Sequence, residues 1–249
     1  MSARHFVTTV FLCSLGLHFA ASANGAPIHL SETFTHPDGT LVGKVPTPGP
    51  GGVWTVHSGT GTPPLVTSGR AVLVHGSGSR QDVNAGFTTL TSANADRVTV
   101  SFDLAVTDNT KISGSNFEYF AHFSDAGSIN FYSRVDVVPP SDPNSGDYSL
   151  GIATIANAAE AILPVNFTFG NTNRVTLGFD FTTGLSSVSV PSFSVNSTTS
   201  VLGNTIKAFA LRQGDSGNDE TVRVDNLLVT PEPASLTLVL AGLATRRRL

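Results

Sequence analysis

The fold is decided by the stretch Val98-Thr99-Val100-Ser101-Phe102-Asp103-Leu104, in which apolar and polar side chains alternate. Val175-Thr176-Leu177-Gly178-Phe179-Asp180-Phe181 repeats the pattern. Successive side chains of a strand point to opposite faces, so this alternation places one face in a core and the other toward solvent or a ligand. The two stretches therefore predict strands of an all-β fold.

Further strand-like stretches, separated by Gly-, Pro-, Asp- and Asn-rich turns, surround these two. They are Gly52 to His57, Ala71 to His75, Asn116 to Phe123, Ser128 to Val138, Tyr148 to Thr154, Leu185 to Val190, Thr205 to Leu211 and Thr221 to Val229. Short strands at this spacing are typical of a sandwich or barrel. Only Ile155 to Ile162, an Ala-rich stretch before Pro164, favours helix. None of the turns is long enough to be a linker, so we expect one domain over residues 24–230.

Composition excludes several classes of protein. Hydrophobic residues make up 40% of the 249 and charged residues only 13%, which argues against disorder. The net charge is −4, and residues 24–230 alone carry 10 basic and 17 acidic side chains. This acidic body without a basic stripe argues against nucleic acid binding, which requires phosphate neutralisation. Cys13 is the only cysteine, so no disulfide framework is possible.

The N-terminal segment has the organisation of an export signal. Arg4 and His5 precede the apolar run Phe6 to Ala20, and Ala21-Ser22-Ala23 supplies the small residues that a signal peptidase accepts. We predict a signal helix in residues 1–23 with cleavage after Ala23, or alternatively after Ala26. The mature chain would then lack cysteine.

The C-terminal segment carries a second processing signal. Pro231-Glu232-Pro233 is followed by an apolar run from Ala234 to Thr245 and by Arg246-Arg247-Arg248. This arrangement resembles the PEP-CTERM sorting signal of Gram-negative bacteria: a Pro-Glu-Pro motif, a hydrophobic helix and terminal arginines. The prolines are expected to end the preceding strand, because they lack an N–H donor. The arginines are expected to stay on the cytoplasmic side of the membrane.

The resemblance implies a route and a partner. A membrane protease of the exosortase type would cut near the motif after transient anchoring in the inner membrane. The protein would then reach the cell surface, the outer membrane or the extracellular matrix. The apolar run of 12 residues would span about 18 Å as a helix, less than the ~30 Å of a hydrocarbon core. We therefore expect brief presentation of residues 231–249 to the protease rather than stable anchoring.

The body has a resemblance of its own. Glu32-Thr33-Phe34, Pro37-Asp38-Gly39-Thr40-Leu41-Val42-Gly43 and Gly52-Val53-Trp54 resemble the opening of concanavalin A-like jelly rolls, and Val222 to Val229 resembles their last strand. This implies a jelly-roll-type β-sandwich flanked by the signal helix and the short C-terminal helix. It also implies that the first and last strands pair, which would bring Phe34 near Leu227. Such domains often bind carbohydrate on one sheet face.

Catalytic patterns are missing from the sequence. Jelly-roll glucanases carry E-x-D-x-x-E on one strand, and none of Glu32, Glu118, Glu160 and Glu220 begins that pattern. An Asp pair from separate strands stays open. The mature histidines His29, His36, His57, His75 and His122 show no metal-ligand spacing, and surface or edge positions are expected for all five. We therefore expect a protein that is not an enzyme.

Two weak site predictions remain. Calcium is the one cofactor that the loops could hold, because it prefers flexible sets of oxygen ligands. The predicted ligands are Asp215, Asn218, Asp219 and Glu220, with Asp142, Asn144 and Asp147 as a second set. Tyr132 and Tyr148 each flank a polar loop and are the candidates for stacking on a sugar, whereas Trp54 is expected in the core.

The sequence thus favours an exported, sorted protein that binds polysaccharide in the matrix. Its expected partners are the export machinery, the exosortase-like protease and extracellular polysaccharide. One alternative is a hydrolase acting on exopolysaccharide, which needs two acidic side chains about 5–10 Å apart in a cleft. The other is a structural or adhesive matrix protein, for which an exposed apolar patch would signal self-association.

Overall fold

Sixteen β-strands build the described part of the chain. The computed structural model describes residues 27–108, 110–115, 118–125 and 130–233. The strands are β1 (Leu30–Glu32), β2 (Gly39–Thr40), β3 (Thr55–Gly59), β4 (Leu65–Thr67), β5 (Arg70–Val74), β6 (Gln81–Leu90), β7 (Ala95–Thr107), β8 (Tyr119–Ser124), β9 (Phe131–Val138), β10 (Ser149–Ala153), β11 (Ala161–Ile162), β12 (Thr172–Asp180), β13 (Ser186–Val190), β14 (Phe193–Asn196), β15 (Ile206–Leu211) and β16 (Thr221–Pro233).

These strands form two antiparallel sheets packed as a sandwich. The nine-stranded sheet has the order β14-β13-β12-β7-β16-β5-β4-β2, with β1 also on β16. The seven-stranded sheet has the order β11-β10-β9-β8-β15-β6-β3. The all-β, jelly-roll-type prediction is confirmed. Within the described ranges, no helix long and apolar enough to cross a membrane is found.

The alternating stretches that predicted the fold lie at the centre of the nine-stranded sheet. β7 pairs with β12 and with β16, and Val98, Val100 and Phe102 point into the core. The ring of Phe102 packs 6.2 Å from that of Phe120 and 6.3 Å from that of Phe209, both on the opposite sheet. The core is thus built largely from phenylalanine and aliphatic side chains that meet between the sheets.

The first and last strands pair, as the jelly-roll resemblance implied. β1 is antiparallel to β16, with Glu32 opposite Leu227. Phe34 lies two residues beyond that pair and is buried. Because β1 starts at residue 30 and β16 ends at residue 233, the two ends of the described body leave the same sheet on neighbouring strands.

The buried carboxylate of Glu32 joins the motifs that carried this resemblance. It accepts hydrogen bonds from Phe34 N (2.7 Å), Thr47 N (3.3 Å) and Trp54 Nε1 (3.0 Å), and it contacts His36 Nε2 (3.1 Å). Phe34 has φ 50, a conformation that a bulky side chain rarely adopts, and its bonded amide helps to hold it there. We call these five residues the Glu32 hub; within it Trp54 is a core residue, as expected.

Two local predictions are wrong. Residues 155–160 form bends and irregular backbone and residues 161–162 form β11, where a short helix was expected. Glu160 explains this, because its carboxylate accepts hydrogen bonds from Thr154 N, Thr198 N and Thr199 N and so fixes a loop. A ten-residue strand, β6, was also missed.

The Pro-Glu-Pro motif does not end its strand. β16 continues to Pro233, with Pro231 opposite Val98 and Glu232 opposite Arg97. The backbone of Val229 faces β1, because its carbonyl oxygen accepts a hydrogen bond from His29 N. Pro231 is two residues further along, so its nitrogen points to the same side, at a position beyond the start of β1. No ladder bond is lost there, which is how an edge position tolerates proline.

Candidate functional site

Two β-bulges determine which side chains lie on the outer face of the seven-stranded sheet, the face turned away from the core. The register shift between Tyr119 and Ala121 puts an extra residue in β8. Regular alternation would turn Tyr119 and His122 to opposite faces, but the bulge brings their rings to 5.4 Å. Both therefore lie on the outer face, whereas Phe120 and Phe123 point inward.

β9 carries the complementary bulge. Ala121 lies opposite Val135 and Phe123 opposite Tyr132, so one residue of β9 is extra, and Ser133 takes φ 55. Arg134 and Phe131 consequently share the outer face, with the guanidinium 5.5 Å from the ring centroid. Asp136 follows on this face, because Val135 and Val137 point into the core.

Three further strands complete an outer-face cluster. β3 contributes His57, β6 contributes Asp82, and Arg212 follows directly on β15. We define the outer-face cluster as His57, Asp82, Glu118, Tyr119, His122, Phe131, Arg134, Asp136 and Arg212. Ala208 and Ala210 on β15 are small, which leaves room above them for the rings of His57 and His122, 5.6 Å apart.

Aromatic packing holds the cationic groups of the cluster in place. The Tyr119 ring carries Arg212 at 4.3 Å and Arg134 at 4.8 Å from its centroid. Phe131 packs 4.8 Å from the ring of His57 and 4.5 Å from that of His122. Cations over aromatic faces are attracted by the ring quadrupole, so these contacts restrict the orientation of both guanidinium groups.

Unpaired polar atoms are concentrated in this cluster. Within the described residues, six buried atoms in it have no hydrogen-bond partner. They are His57 Nε2, His122 Nδ1, His122 Nε2, Arg134 Nε, Asp136 Oδ1 and Asp136 Oδ2. Most buried polar atoms in proteins are paired, and each exception needs a reason. Donors, acceptors and imidazoles that lack partners within the protein are groups whose hydrogen bonds a polar ligand could complete.

Burial shifts the pKa values of the titratable groups in the cluster. Burial, with the charge of Glu118, raises the pKa of Asp136 well above its ordinary value, and Arg134 and Arg212 oppose this. Burial raises the pKa of Asp82 and lowers that of His57, and it lowers the pKa of His122 well below its ordinary value. Both imidazoles are therefore neutral at neutral pH, with nitrogens able to accept as well as donate.

The tyrosines predicted from sequence lie elsewhere. Tyr132 and Tyr148 were expected to be exposed beside polar loops, but both are buried. Tyr132 packs 5.6 Å from the ring of Phe179 on the opposite sheet, and Tyr148 stacks on Phe169 at 5.6 Å. Neither can offer a face to a sugar ring, so the prediction of these two residues as the binding aromatics is wrong.

The expectation for the histidines is wrong for two of the five. His75 and His122 are buried rather than at the surface. His75 Nδ1 accepts a hydrogen bond from Gly214 N (3.2 Å), and burial lowers its pKa to about 3. His57 and His122 stand 65 positions apart in the chain yet come together on the sheet, which no local spacing could reveal.

Two of the four predicted calcium ligands in the first loop are bonded within the protein. Glu220 is buried and accepts from Ser216 Oγ (2.6 Å), while Asn218 Oδ1 accepts from Ser113 N (3.0 Å). Asp215 and Asp219 are exposed in the same loop. Over the part of the chain that the structure describes, no group of three or more His, Cys, Asp or Glu side chains could hold a metal ion.

The second acidic loop is also internally bonded. Asp142 Oδ1 accepts from Asn144 N (2.9 Å), and Asp147 Oδ2 accepts from Phe169 N (2.9 Å). These contacts are ordinary for Asp and Asn in turns. The predicted cleavage residues Ala21 and Ala23 and the tail arginines Arg246, Arg247 and Arg248 lie outside the described residues.

The nine-stranded sheet carries a cavity that differs from the outer-face cluster in its polar groups. A cavity of about 430 Å³ is lined by Phe167, Arg174 and Phe193, among others. Arg174 is already bonded there to Asp103 Oδ1 (3.1 Å) and Ser101 Oγ (2.6 Å). Its arginine is therefore already paired, in contrast to Arg134 of the outer-face cluster, whose Nε has no partner.

Comparison with solved structures supports the fold. The binding domain of botulinum neurotoxin DC, in complex with SialylT, matches with a TM-score of 0.50 and 12% identity, covering 84% of this chain and 48% of that one. A Lotus tetragonolobus seed lectin matches with a TM-score of 0.49 and 14% identity, covering 83% and 99%. The jelly-roll architecture is shared, and at these identities the likeness concerns the fold alone. No protein-family model and no curated protein matches the chain.

Proposed function

We propose that this chain is an exported, non-enzymatic protein of the cell surface or extracellular matrix that binds polysaccharide on the outer face of its seven-stranded sheet. The observation that carries the proposal is the set of six buried, unpaired polar atoms in the outer-face cluster. Leaving a buried polar group unpaired costs about 1–3 kcal/mol. A bound ligand would recover part of that cost.

The chemistry of the six atoms favours a ligand rich in hydroxyl groups. Asp136 offers two oxygens, Arg134 a donor, and the neutral imidazoles of His57 and His122 either role. A hydroxyl group both donates and accepts, so one sugar ring can serve all of these at once. Phe131 is partly exposed beside them and offers an apolar surface for a sugar's C–H face.

The neighbours' names agree with this ligand class. One is a seed lectin, and another is the carbohydrate recognition domain of Emp47p, which matches with a TM-score of 0.45 and 11% identity over 82% of this chain and 97% of that one. Folds of this kind host many functions, so the proposal rests on the cluster.

The export route remains part of the proposal. Its support is the sequence of the two ends: the signal-like residues 1–23 and the tail from Pro231 to Leu249. Export machinery and an exosortase-like membrane protease are the corresponding partners. Because Pro231 to Pro233 are paired in β16, we expect cleavage to fall after Pro233 or to require this strand end to open.

The pairing of the acidic groups supports binding rather than hydrolysis. Asp82 and Asp136 are the two cluster aspartates with raised pKa, and they lie on strands separated by β15 and β8. Asp82 and Glu118 both contact Arg212, at 3.6 Å and 2.5 Å, so one guanidinium neutralises both carboxylates and leaves neither of them unpaired for acid catalysis or nucleophilic attack.

A glycan array with the full-length chain tests this function. We expect selective binding to a subset of polysaccharides, unaffected by calcium or chelator because Asn218, Glu220, Asp142 and Asp147 are bonded within the protein. Asp136→Ala, which removes both oxygens, should weaken binding at least tenfold. Asp103→Ala, the same chemical change on the nine-stranded sheet, is the matched control and should bind like the wild type.

Each other result has a clear consequence. If the folded protein binds none of a broad panel of glycans, the binding proposal is rejected and a structural matrix protein is favoured. Equal loss in both variants would place the ligand away from the cluster. Cleavage products from any polysaccharide would show that the protein is a hydrolase.

A further inference from the structure

The two arginines of the outer-face cluster differ in their partners. Arg212 is neutralised: Nη1 lies 2.5 Å from Glu118 Oε2, and Nε lies 3.6 Å from Asp82 Oδ2. Arg134 has no carboxylate within ion-pair distance among the residues described. Its Nη1 instead donates to the neutral Oδ1 of Asn157, in the loop between β10 and β11. Arg134 is thus the cluster's cation without a counter-ion.

The guanidinium of Arg134 is held as a rigid receptor. Its carbon lies 4.8 Å from the Tyr119 centroid and 5.5 Å from the Phe131 centroid, so two rings fix its position. Its Nε is buried and has no partner. Nε and a neighbouring Nη are the pair of donors that a planar carboxylate binds in the two-bonded geometry.

On the basis of the proposed function, we propose that the polysaccharide bound here is acidic and that Arg134 binds the carboxylate of a uronic-acid unit through Nε and Nη2, while Nη1 stays bonded to Asn157. Asn157 already supplies Arg134 with a neutral acceptor. A sugar hydroxyl at Nε would add a single neutral bond. A carboxylate gains, because charge-assisted bonds are about twice as strong as neutral ones and two form together.

Asp136 does not compete for this position. It stands two residues from Arg134 on the same face but forms no hydrogen bond with it. Burial and the charge of Glu118 raise its pKa, which favours the protonated form. A protonated carboxyl donates a hydrogen bond, so Asp136 can serve the ligand alongside Arg134.

A sugar suits the cluster better than an acidic peptide. After a carboxylate has engaged Arg134, the nitrogens of His57 and His122 still lack partners. The ring hydroxyls of a uronic acid lie within a few ångströms of its carboxylate and can pair with them. An acidic side chain carries no hydroxyl groups and would leave these nitrogens open.

The test compares each acidic polymer with its own neutral form. Alginate, polygalacturonate and hyaluronate are titrated against the full-length protein by calorimetry, each beside its carboxyl-reduced derivative, with poly-L-glutamate as a further ligand. We expect at least one acidic polymer to bind tenfold or more tightly than its reduced form. The chain's net charge is −4, so no general attraction for polyanions would explain this result.

Variants assign the effect to single residues. Arg134→Gln should abolish the preference for the acidic form, and Arg134→Lys should restore part of it, because lysine keeps the charge but loses the fork. Asn157→Ala should keep the preference for the acidic form, because Asn157 bonds Nη1 and leaves the Nε side of the guanidinium to the carboxylate. Arg174→Gln, on the nine-stranded sheet, should bind like the wild type.

The outcomes separate this inference from the function on which it rests. Binding of neutral polysaccharides, or equal binding of acidic and reduced forms, overturns the acidic ligand and leaves polysaccharide binding intact. Tighter binding of poly-L-glutamate assigns the site to acidic peptides. Silence toward every polymer, acidic and neutral, overturns both proposals. An Arg134→Gln variant that keeps the acidic preference overturns the assignment to Arg134.

Discussion

Two buried carboxyl groups, one in each sheet, have opposite surroundings. Glu32 and Asp136 are both 0% exposed. Glu32 contacts four groups of the Glu32 hub, whereas neither oxygen of Asp136 has a partner. Burial alone therefore does not distinguish a structural acid from a site acid. The difference lies in whether the protein itself completes the hydrogen bonds.

The two carboxyl groups are therefore expected to contribute to the free energy of unfolding with opposite sign. A fully bonded buried carboxylate stabilises the fold because its removal leaves donors unpaired. An unbonded one destabilises the fold and persists where it serves another purpose. We therefore expect substitutions at Glu32 and Asp136 to change the free energy of unfolding in opposite directions.

The largest effect is expected at Glu32. Glu32→Ala should lower the free energy of unfolding by about 4 kcal/mol, because Phe34 N, Thr47 N and Trp54 Nε1 all lose their acceptor. Urea denaturation at neutral pH measures this. Glu32→Gln keeps one oxygen and should lose roughly half as much. A loss below about 1 kcal/mol for Glu32→Ala would show that the hub is not a structural centre.

His75 is an intermediate case, with one ring nitrogen bonded and the other not. Its pKa falls from 6.5 to about 3 on folding, so between these values the unfolded chain binds more protons. Stability from this group is complete above pH 6.5 and declines as the pH falls. The decline amounts to about 3 kcal/mol between pH 6.5 and pH 4, at 1.36 kcal/mol per unit.

The control for His75 keeps its one hydrogen bond. In His75→Asn the amide oxygen can accept from Gly214 N but does not titrate. Urea unfolding of both proteins from pH 7 to pH 4 should show curves that converge or cross as the wild type loses stability. If the free energies of unfolding of the two proteins change in parallel over this pH range, the lowered pKa of His75 is contradicted.

A smaller effect of the opposite sign is expected at Asp136. Its pKa is raised by burial, so above the unfolded value of 3.8 the folded state binds more protons and stability falls with rising pH. Asp136→Asn removes this cost and should raise the free energy of unfolding by about 1 kcal/mol at pH 7, with less gain at pH 4. A loss of stability at pH 7 would make Asp136 a structural acid like Glu32.

Sequence patterns predicted most of the strands because the apolar residues that alternate along a strand are those that point into the core. β7 and β12 alternate regularly, and the Glu32 hub consists of residues from the motifs that resembled a jelly roll and of residues beside them. β6 was missed for a physical reason. Its outward positions Asp82, Asn84 and Gly86 are residue types depleted in strands, and two of them are polar groups beside the candidate site.

The outer-face cluster was not predictable by local pattern. Its members come from strands far apart in the chain, and the bulges in β8 and β9 reverse the alternation that a regular strand would keep. Tyr119 and His122 have a spacing of three, which places them on opposite faces of an ideal strand. The tyrosine choice failed because flanking a polar loop says little about which face a side chain takes.

The most direct test of polysaccharide binding on this face is amide NMR of the protein titrated with an oligosaccharide cut from a polymer that binds. The account predicts that the largest shift changes fall on the outer face of the seven-stranded sheet, around Tyr119, His122, Arg134 and Asp136. Changes confined to the nine-stranded sheet, or to the cavity beside Phe193, would contradict it.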